Sequence, residues 1–527
     1  ADGQLALALQ PSTDASSGAA VVDELAEVLT GGRVLAGGVT RAVAAAEYEA
    51  KLAATDADTA LRHVLKVLSA APEFHASTLA VPSGDVRTAA ASIPSAGRAL
   101  RAVILLWLPG GMDSYSMLVP YAGCANGLRQ QYEDVRGPIV RFNLTRLLEI
   151  GVDARSPPQP CTSFGVHDKL PALRALYDND ELLFVANAGA LVEPVANRSV
   201  YDSGRVKLPP SLFAHNIQQR ATQTVHAQSS AADGFLARIL DALAKPDAST
   251  PHRSAAASMN GASLALRGGA ELGYDILSSG GGVRQLVQLD AVRDAIDALT
   301  APRTKSLFTD TYGAAMGEAV QRAEELAAAL DSVVLDGTAF VTYRTSLARQ
   351  FENAAKLVKY HANNGTERLA MVGSKGGWDT HNTNDLDLLF GDVSASLDAL
   401  VTELKLQGTW NNTLIVSMSE FGRTLTSNGI GTDHAWGGNI FLAGGAVRGG
   451  RVLGKFPDDL TDSGPLALGR GRLIPTTSWE ALWHGVAQWL DVDAADVATV
   501  LPNAANFDAS QLFTAADLFE PDTPPDP

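Results

Sequence analysis

Acidic and imidazole side chains follow the apolar runs of this chain, and together they could hold a metal ion. They are, in chain order, Asp113, Asp379, His381, Glu420, Asp433 and His434. Mixed carboxylate and imidazole ligands suit Zn²⁺, Mn²⁺ or Fe, whereas carboxylates alone suit Ca²⁺ or Mg²⁺ better. Such an ion polarises a phosphoryl or sulfuryl oxygen and activates water. The pattern predicts a polar site and indicates a divalent metal ion (Zn, Mn, Fe or Ca) as its cofactor.

Each of these residues also has an ordinary structural explanation. An aspartate after a Gly-Gly turn, as at Asp113, usually forms an Asx turn or a helix cap. Glu420 and Arg423 are three residues apart and could simply pair with each other. Six such groups reach the predicted strand ends by independent routes, and this favours a shared polar site over six separate structural roles.

Four continuous apolar runs that end in turn residues predict the strands that position these groups. The runs are 102–108, 182–188, 369–372 and 414–418. Runs of this kind are typical of strands buried on both faces of a parallel sheet. Helical patterns lie between them at 314–330, 345–360 and 385–404. The alternation predicts an α/β fold with a central, mostly parallel sheet flanked by helices. Ligands of such sheets bind at the carboxyl ends of the strands.

The predicted organisation along the chain has three parts. Residues 1–98 read as a small helical amino-terminal region and a linker rich in Pro, Ser and Gly. Residues 99–515 carry the strands and helices of the α/β domain. Residues 516–527 are rich in Pro and Asp, and we expect them to be a disordered tail.

Composition excludes some classes of partner. The formal net charge of −17 argues against nucleic acid, because phosphate contacts need clustered Lys and Arg. No run of eighteen apolar residues occurs, so no membrane span is predicted. The two cysteines, Cys124 and Cys161, are compatible with one disulfide or with two unrelated thiols.

Seven stretches of the chain resemble a known family in their residues and in their order. They are 107–114, 186–194, 210–219, 376–381, 419–423, 431–438 and 471–477. Together they are similar to domain-of-unknown-function family 1501, which is regarded as a sulfatase-like branch of the alkaline phosphatase superfamily. The stretch 60–74 resembles the carboxyl end of a second uncharacterised family. This second similarity suggests that the chain is part of a larger fusion or a processed product. A protein partner or self-assembly through the amino-terminal region is a further expectation.

The resemblance implies an alkaline phosphatase/sulfatase-like fold and an exported, metal-dependent hydrolase of phosphate or sulfate esters, located outside the cell or in the periplasm. The substrate would be an anionic ester. The metal ligands it implies are Asp113, Asp379, His381, Asp433 and His434. The catalytic residues would be Glu420, as a ligand or general base, with His215 or Arg423 binding the substrate anion.

Two departures from the family pattern keep a second interpretation open. Ala214 stands where the family often has Ser, and an alanine cannot act as a nucleophile. Phe421 follows Glu420 where a superfamily member often carries His. One metal ion or none is therefore more expected than two. The alternative is a non-catalytic secreted structural or assembly protein that retains the fold, since a fold does not determine a function.

Overall fold

The structure is a computed structural model that describes residues 9–10, 13–88, 93–245, 251–269, 273–278 and 290–521. Its α-helices are α1 (Gly18–Thr30), α2 (Val39–Ala54), α3 (Ala57–Ala70), α4 (Pro72–His75), α5 (Leu128–Val140), α6 (Pro171–Asp178), α7 (Arg198–Asp202), α8 (His215–Thr224), α9 (Phe235–Ala244), α10 (Arg293–Thr300), α11 (Leu307–Ser332), α12 (Ala339–Thr342), α13 (Ser346–Asn363), α14 (Asp387–Leu406), α15 (Trp479–Trp489), α16 (Val497–Val500) and α17 (Ala515–Leu518). Its strands are β1 (Pro82–Val86), β2 (Arg101–Trp107), β3 (Leu118–Ala122), β4 (Leu147–Gly151), β5 (Ser163–His167), β6 (Leu182–Gly189), β7 (Ser254–Ser258), β8 (Asp275–Ile276), β9 (Pro302–Thr304), β10 (Arg368–Ser374), β11 (Thr413–Met418), β12 (Arg423–Ser427), β13 (Thr432–His434), β14 (Gly438–Ala443), β15 (Arg451–Gly454) and β16 (Thr477–Ser478).

A nine-stranded sheet forms the centre of the larger part of the chain. Its strand order is β15-β6-β14-β11-β2-β10-β7-β8, with β16 also paired to β6. Neighbouring strands run parallel, except that β14 is antiparallel to both β11 and β6. The four apolar runs are β2, β6, β10 and β11. The prediction of an α/β fold with a central, mostly parallel sheet flanked by helices is confirmed.

The middle of the sheet brings three chain segments to one edge. In the pairing register, Trp107 at the end of β2 lies opposite Ser374 of β10 and Met418 of β11. The loops after these strands therefore leave the sheet side by side. Helices α9 and α15 cover one face of the sheet, where Phe235 and Trp483 belong to the same buried cluster as Val103 of β2. Burial on both faces holds the three strand ends in place, so their loops have a fixed starting point.

The chain divides into two compact units that differ from the predicted division. One unit consists of Ala1–Ala91 and Arg284–Ala328, and the other of Ser92–Val283 and Ala329–Pro527. Residues 284–328, predicted as part of the α/β domain, thus group with the amino-terminal helices. The reason is the apolar face of α10, where Ile296 and Leu299 are buried in one cluster with Val64 and Val67 of α3. Part of the predicted linker is strand β1, which pairs with β9 in the same unit.

The prediction of a disordered tail at 516–527 is wrong for the part of the tail that the structure describes. Helix α17 ends at Leu518, and both Leu518 and Phe519 are buried. The Phe519 ring stacks on Trp489, with the ring centroids 4.7 Å apart. These two apolar side chains explain the order, because their burial offsets the entropy lost on fixing the backbone. Residues 522–527 lie outside the described residues.

Cys124 and Cys161 form a disulfide across a separation of 37 residues. This resolves the two readings of the cysteines in favour of one bond. In the part of the chain that the structure describes, no helix has the length and apolar character needed to cross a bilayer.

Candidate functional site

Three histidines and an aspartate converge beyond the carboxyl ends of β2, β10 and β11. We call this set, His215, Asp379, His381 and His434, the histidine–aspartate cluster. The Nε2 atoms of His381 and His434 lie 3.1 and 3.2 Å from Oδ1 of Asp379. The Nε2 atom of His215 lies 3.4 Å from Oδ2 of the same carboxylate. His381 Nε2 and His434 Nε2 are 2.8 Å apart.

The other nitrogen of each histidine is already used. His215 Nδ1 is bonded to Glu420 Oε1 at 2.8 Å, and His381 Nδ1 is bonded to Asp433 Oδ1 at 2.9 Å. His434 Nδ1 is bonded to the carbonyl oxygen of Phe213 at 2.7 Å. Carboxylate and carbonyl oxygens can only accept hydrogen bonds, so each Nδ1 carries the hydrogen. In the neutral imidazole, Nε2 is then a bare lone pair.

Three lone pairs that face one carboxylate repel it unless a positive charge lies between them. Protonation of the histidines is one source of that charge, and a metal ion is the other. Burial lowers the pKa of His434, which favours the neutral ring that a metal requires. The side chains of His215, Asp379 and His434 offer ligand atoms that all lie within 4.8 Å of one another. Neighbouring ligands of a tetrahedral ion with bonds of about 2.1 Å lie about 3.4 Å apart, so the spacing fits.

Glu420 lies beneath the cluster and holds His215 in place. Its side chain is buried, and Oε1 also accepts the Gly110 N–H at 2.8 Å and the Gln219 amide at 3.2 Å. The ring of Phe421, the next residue, packs beside His215 with centroids 4.9 Å apart. Glu420 is therefore fully bonded and does not face the open side of the site. In this position it orients the His215 ring.

Arg423 plays the same kind of part for Asp379. Its guanidinium is fully buried and donates to Asp379 Oδ1 at 2.6 Å and to the Gly110 carbonyl at 3.1 Å. It also donates to the hydroxyl and the carbonyl of Thr432. Partial burial raises the pKa of Asp379, but Arg423 together with the neighbouring His381 and His215 lowers it further, so this pKa lies below its usual value. Asp379 is thus held as a carboxylate, the form that binds metals.

Asp433 is the partner of His381 and not part of the cluster itself. Its Oδ1 accepts from His381 and, at 3.0 Å, from Asn428, while Oδ2 is bonded to Arg470. Burial raises the pKa of Asp433, and these hydrogen bonds together with the Arg470 charge lower it further than burial raises it. His381 therefore has an ionised carboxylate on Nδ1, while its Nε2 faces Asp379.

Asp113 is placed away from this arrangement. Its two oxygens accept from the buried Arg136 guanidinium at 3.2 and 2.7 Å, and Ser116 donates to it at 3.0 Å. The charge of Asp113 is therefore balanced by Arg136. The structure therefore gives Asp113 a partner other than a metal, and we leave it out of the ligand set proposed below.

A second group of metal-type ligands consists of His167, Asp168 and Asp387. Arg146 joins the two carboxylates, donating to Asp168 at 2.7 Å and to Asp387 at 2.6 Å. Burial lowers the pKa of His167 to about 4, so the ring is neutral near pH 7. Because a guanidinium already supplies the positive charge, this group is an ion-pair network.

Sequence reasoning missed the groups that orient the cluster. It did not identify the Phe213 carbonyl, Asn428 or Arg470 as neighbours. It predicted Glu420 as a ligand or general base and Arg423 as a group that binds the substrate anion, whereas both orient cluster side chains. The local signals were the matched stretch at 210–219, which contains Phe213, and the one at 471–477, which begins next to Arg470. The bond between His215 and Glu420 joins residues 205 positions apart, and no local pattern encodes such a contact.

Comparison with known proteins decides the family. The family described as "Protein of unknown function (DUF1501)" matches residues 100–463. The chain belongs to this family. The family resemblance found in the sequence is thereby confirmed, and the match covers His215, Asp379, His381 and His434. No match is found among curated proteins.

Several solved structures resemble the chain weakly. LtaP, a lipoteichoic acid synthase of Listeria monocytogenes, is 10% identical over 72% of this chain and 75% of its own, with a TM-score of 0.28. The PsFucS1 sulfatase of Pseudoalteromonas sp. is 12% identical over 68% and 66%, with a TM-score of 0.27. An alkaline phosphatase of the Antarctic bacterium TAB5 is 9% identical over 68% and 96%, with a TM-score of 0.26. TM-scores this low establish neither a shared fold nor a shared activity.

Proposed function

We propose that this protein is a metal-dependent hydrolase of phosphate or sulfate esters, with one divalent ion held by His215, Asp379 and His434. One observation carries the proposal: three Nε2 lone pairs face a single ionised carboxylate, while every Nδ1 is bonded to an oxygen. Metal-binding histidines characteristically donate their second N–H to a carboxylate or carbonyl. Three nitrogen and oxygen ligands with an open position are typical of catalytic zinc sites.

A divalent ion held there would supply Lewis-acid chemistry, activating water and polarising the ester oxygen. None of the hydrogen bonds described for the four cluster side chains involves a hydroxyl group. Ala214, directly before His215, offers none either. We therefore assign the role of nucleophile to water. Its oxygen attacks phosphorus or sulfur, and the bond to the leaving alcohol breaks.

We assign proton transfer to His381, which is not one of the three residues whose ligand atoms all lie within 4.8 Å of one another. Its Nε2 lies 2.8 Å from His434 Nε2, at the edge of the proposed metal site. Its Nε2 accepts the proton of the attacking water, and Asp433 on Nδ1 stabilises the imidazolium that forms. The same proton can then pass to the leaving oxygen. Arg470 pairs with Asp433 and is 61% exposed, so its guanidinium is suited to receive the anionic ester. Arg423 is fully buried and bonded, so we assign it the positioning of Asp379.

We also propose that the protein is exported to the periplasm or beyond the cell. The disulfide between Cys124 and Cys161 supports this, because disulfides persist in oxidising compartments and are rare in the cytosol.

The test is hydrolysis of p-nitrophenyl phosphate and p-nitrophenyl sulfate, each with added Zn²⁺, Mn²⁺, Fe²⁺ or Ca²⁺. We expect turnover of one ester with at least one of the ions. His381→Gln should lower kcat by about 10²–10⁴-fold, the usual contribution of a general base, without loss of metal. His75→Gln, an exposed histidine of the other compact unit, is the matched control. No turnover by the wild type with either ester would favour the non-catalytic alternative.

A further inference from the structure

A pocket lies next to the histidine–aspartate cluster, along helix α8. Its volume is about 310 Å³, at the small end of the range of about 300–1,000 Å³ that ligand sites occupy. It lies at the carboxyl ends of β7 and β10. Its polar lining includes Asn216, Gln219, Gln223, Asn260, Ser263 and Ser374. We call it the amide pocket.

The amide pocket is joined to the cluster through α8. Gln219 lines the pocket and also donates to Glu420 Oε1 at 3.2 Å, the atom that accepts from His215. His215 begins α8, and Asn216, the next residue, lines the pocket. A molecule in the amide pocket would therefore lie against the same helix turn that carries His215. This is the position of the part of a substrate that is not the reacting ester.

The lining excludes most classes of ligand. Among the described residues that line the pocket, Arg220 is the only charged side chain, and it donates to the Ser230 carbonyl. An anion would find a single guanidinium that is already bonded to a carbonyl, and a cation would find no carboxylate. An apolar ligand would cover amide and hydroxyl groups without replacing their hydrogen bonds with water, which costs free energy.

Ser263 gives independent evidence that a polar ligand belongs here. It is 8% exposed, and its hydroxyl has no hydrogen-bond partner among the described residues. Buried hydroxyls normally have a partner, so an unsatisfied one that lines a pocket indicates that a partner arrives from outside the chain. Nearby, Asn260 donates to the Ser374 hydroxyl at 2.7 Å, and Gln350 fixes the Ser374 backbone through bonds of 2.8 and 3.0 Å.

We propose that the amide pocket binds an uncharged polyhydroxyl group, a sugar unit. Hydroxyls donate and accept, which is what a lining of amides and hydroxyls requires, and Trp107, Leu264 and Val372 provide apolar surface for the carbon face of a sugar ring. The extension that this sugar carries the ester cleaved at the cluster rests on the proposed function. The substrate class is then a phosphate or sulfate ester of a carbohydrate.

The test is saturation-transfer NMR on the full chain with lactose, maltose and cellobiose at millimolar concentration. We expect binding of at least one disaccharide. Ser263→Ala, Asn216→Ala and Asn260→Ala should each weaken it about two- to tenfold, the effect of one lost hydrogen bond. Ser263→Ala removes a hydroxyl that has no partner in the described chain, so it should bind sugar less without unfolding more easily.

Asp379→Asn separates this proposal from the proposed function. This variant should lose metal while binding the disaccharide as the wild type does. If the wild type binds sugar but holds no metal and shows no turnover, sugar binding in the amide pocket is supported and the proposed hydrolase function is contradicted. Three results would contradict sugar binding in the amide pocket. They are no saturation transfer to any of the three disaccharides, equal transfer in the wild type and all pocket variants, and binding of a neutral dipeptide amide instead of a disaccharide.

Discussion

The three histidines of the cluster share one arrangement of protons. Each Nδ1 hydrogen is fixed by an oxygen that can only accept, on Glu420, Asp433 or the Phe213 backbone. Groups outside the cluster therefore fix the orientation and proton-free state of the three Nε2 atoms, which all lie next to the Asp379 carboxylate. At the scale of single residues, the proposed metal site depends as much on these three acceptors as on the ligands themselves.

Glu420→Gln tests this dependence. Glutamine keeps an oxygen for the bonds from Gly110 and His215 but removes the charge that makes the His215 ring a stronger ligand. We expect metal affinity to fall about 10–100-fold, the usual effect of changing such a partner. Competition with a fluorescent chelator measures the affinity. Glu149→Gln, an exposed carboxylate of the same unit, is the control, and an unchanged affinity in Glu420→Gln would contradict the assigned role.

Glu480, a buried carboxyl at the start of α15, makes stability depend on pH. Burial raises the pKa of Glu480 from 4.5 to about 8. Between these values the unfolded chain releases the proton and the folded chain keeps it, so the free energy of unfolding falls as pH rises. The fall is at most about 1.4 kcal/mol per pH unit. The stability contributed by this group is fully present below the unfolded pKa of 4.5 and is lost as pH rises through the folded pKa of about 8.

Glu480→Gln should remove this dependence. The glutamine oxygen can still accept from Asn503, which donates to Glu480 at 3.0 Å. Relative to the wild type, the variant should gain stability at about pH 8 compared with about pH 5. Urea unfolding at both pH values measures the difference. If the free energy of unfolding differs between wild type and variant by the same amount at both pH values, Glu480 does not titrate in this window.

At the scale of elements, the site depends on the turns that follow the central strands. The Gly110-Gly111 turn after β2 has φ values of +121° and +75°, which side chains rarely adopt. A Cβ at Gly110 would lie 2.5 Å from the Asp379 nitrogen, and one at Gly111 would lie 2.3 Å from the Phe421 ring. The turn therefore approaches both the Asp379 loop and the ring that packs on His215.

Gly111→Ala should disturb the fold and the site together. The added methyl group must displace the Phe421 ring, which packs against both His215 and His434 with centroids 4.9 and 4.8 Å away. We expect a loss of about 1–3 kcal/mol in the free energy of unfolding and weaker metal binding. Gly376→Ala is the matched control, because its Cβ would meet nothing within 4 Å. Equal behaviour of the two variants would contradict this account of the turn.

The four long apolar runs made the middle of the sheet predictable, since their composition alone identifies β2, β6, β10 and β11. Strand β7 was not predictable in this way, because it is Ser-Ala-Ala-Ala-Ser, which has little β preference. Strand β14 was missed although residues 440–443 form an apolar run that ends in two glycines. Asp379, His381 and His434 could be proposed because each follows a predicted strand. The pairing of Asp113 with Arg136 could not, because it depends on the path of a turn.

At the scale of the whole molecule, the sequence predicted a helical amino-terminal region and an α/β domain, but not which residues belong to each compact unit. Residues 284–328 join the amino-terminal helices through the buried face of α10, a long-range contact that local periodicity does not reveal. A protein partner or self-assembly through the amino-terminal region stays a prediction. The disulfide is a further long-range restraint, on the α/β unit.

Removal of the disulfide should cost stability. The bond closes a separation of 37 residues, and the chain-entropy relation gives about 3–4 kcal/mol for a loop of this length. Cys124→Ala with Cys161→Ala should lower the free energy of unfolding by about this amount, measured by denaturant titration under oxidising conditions. Reduction of the wild type should give the same loss. No difference between oxidised and reduced wild type would contradict a stabilising role for the bond.

The most direct test of the central claim is elemental analysis of the purified protein after incubation with Zn²⁺, Mn²⁺, Fe²⁺ or Ca²⁺ and removal of free ion. We predict roughly one bound ion per chain in the wild type. That ion should be lost from Asp379→Asn and from His434→Ala. It should be kept by Asp387→Asn, the same kind of change in the group that Arg146 already neutralises. A wild type that binds none of these ions, or an Asp379→Asn variant that keeps its ion, would contradict the metal site.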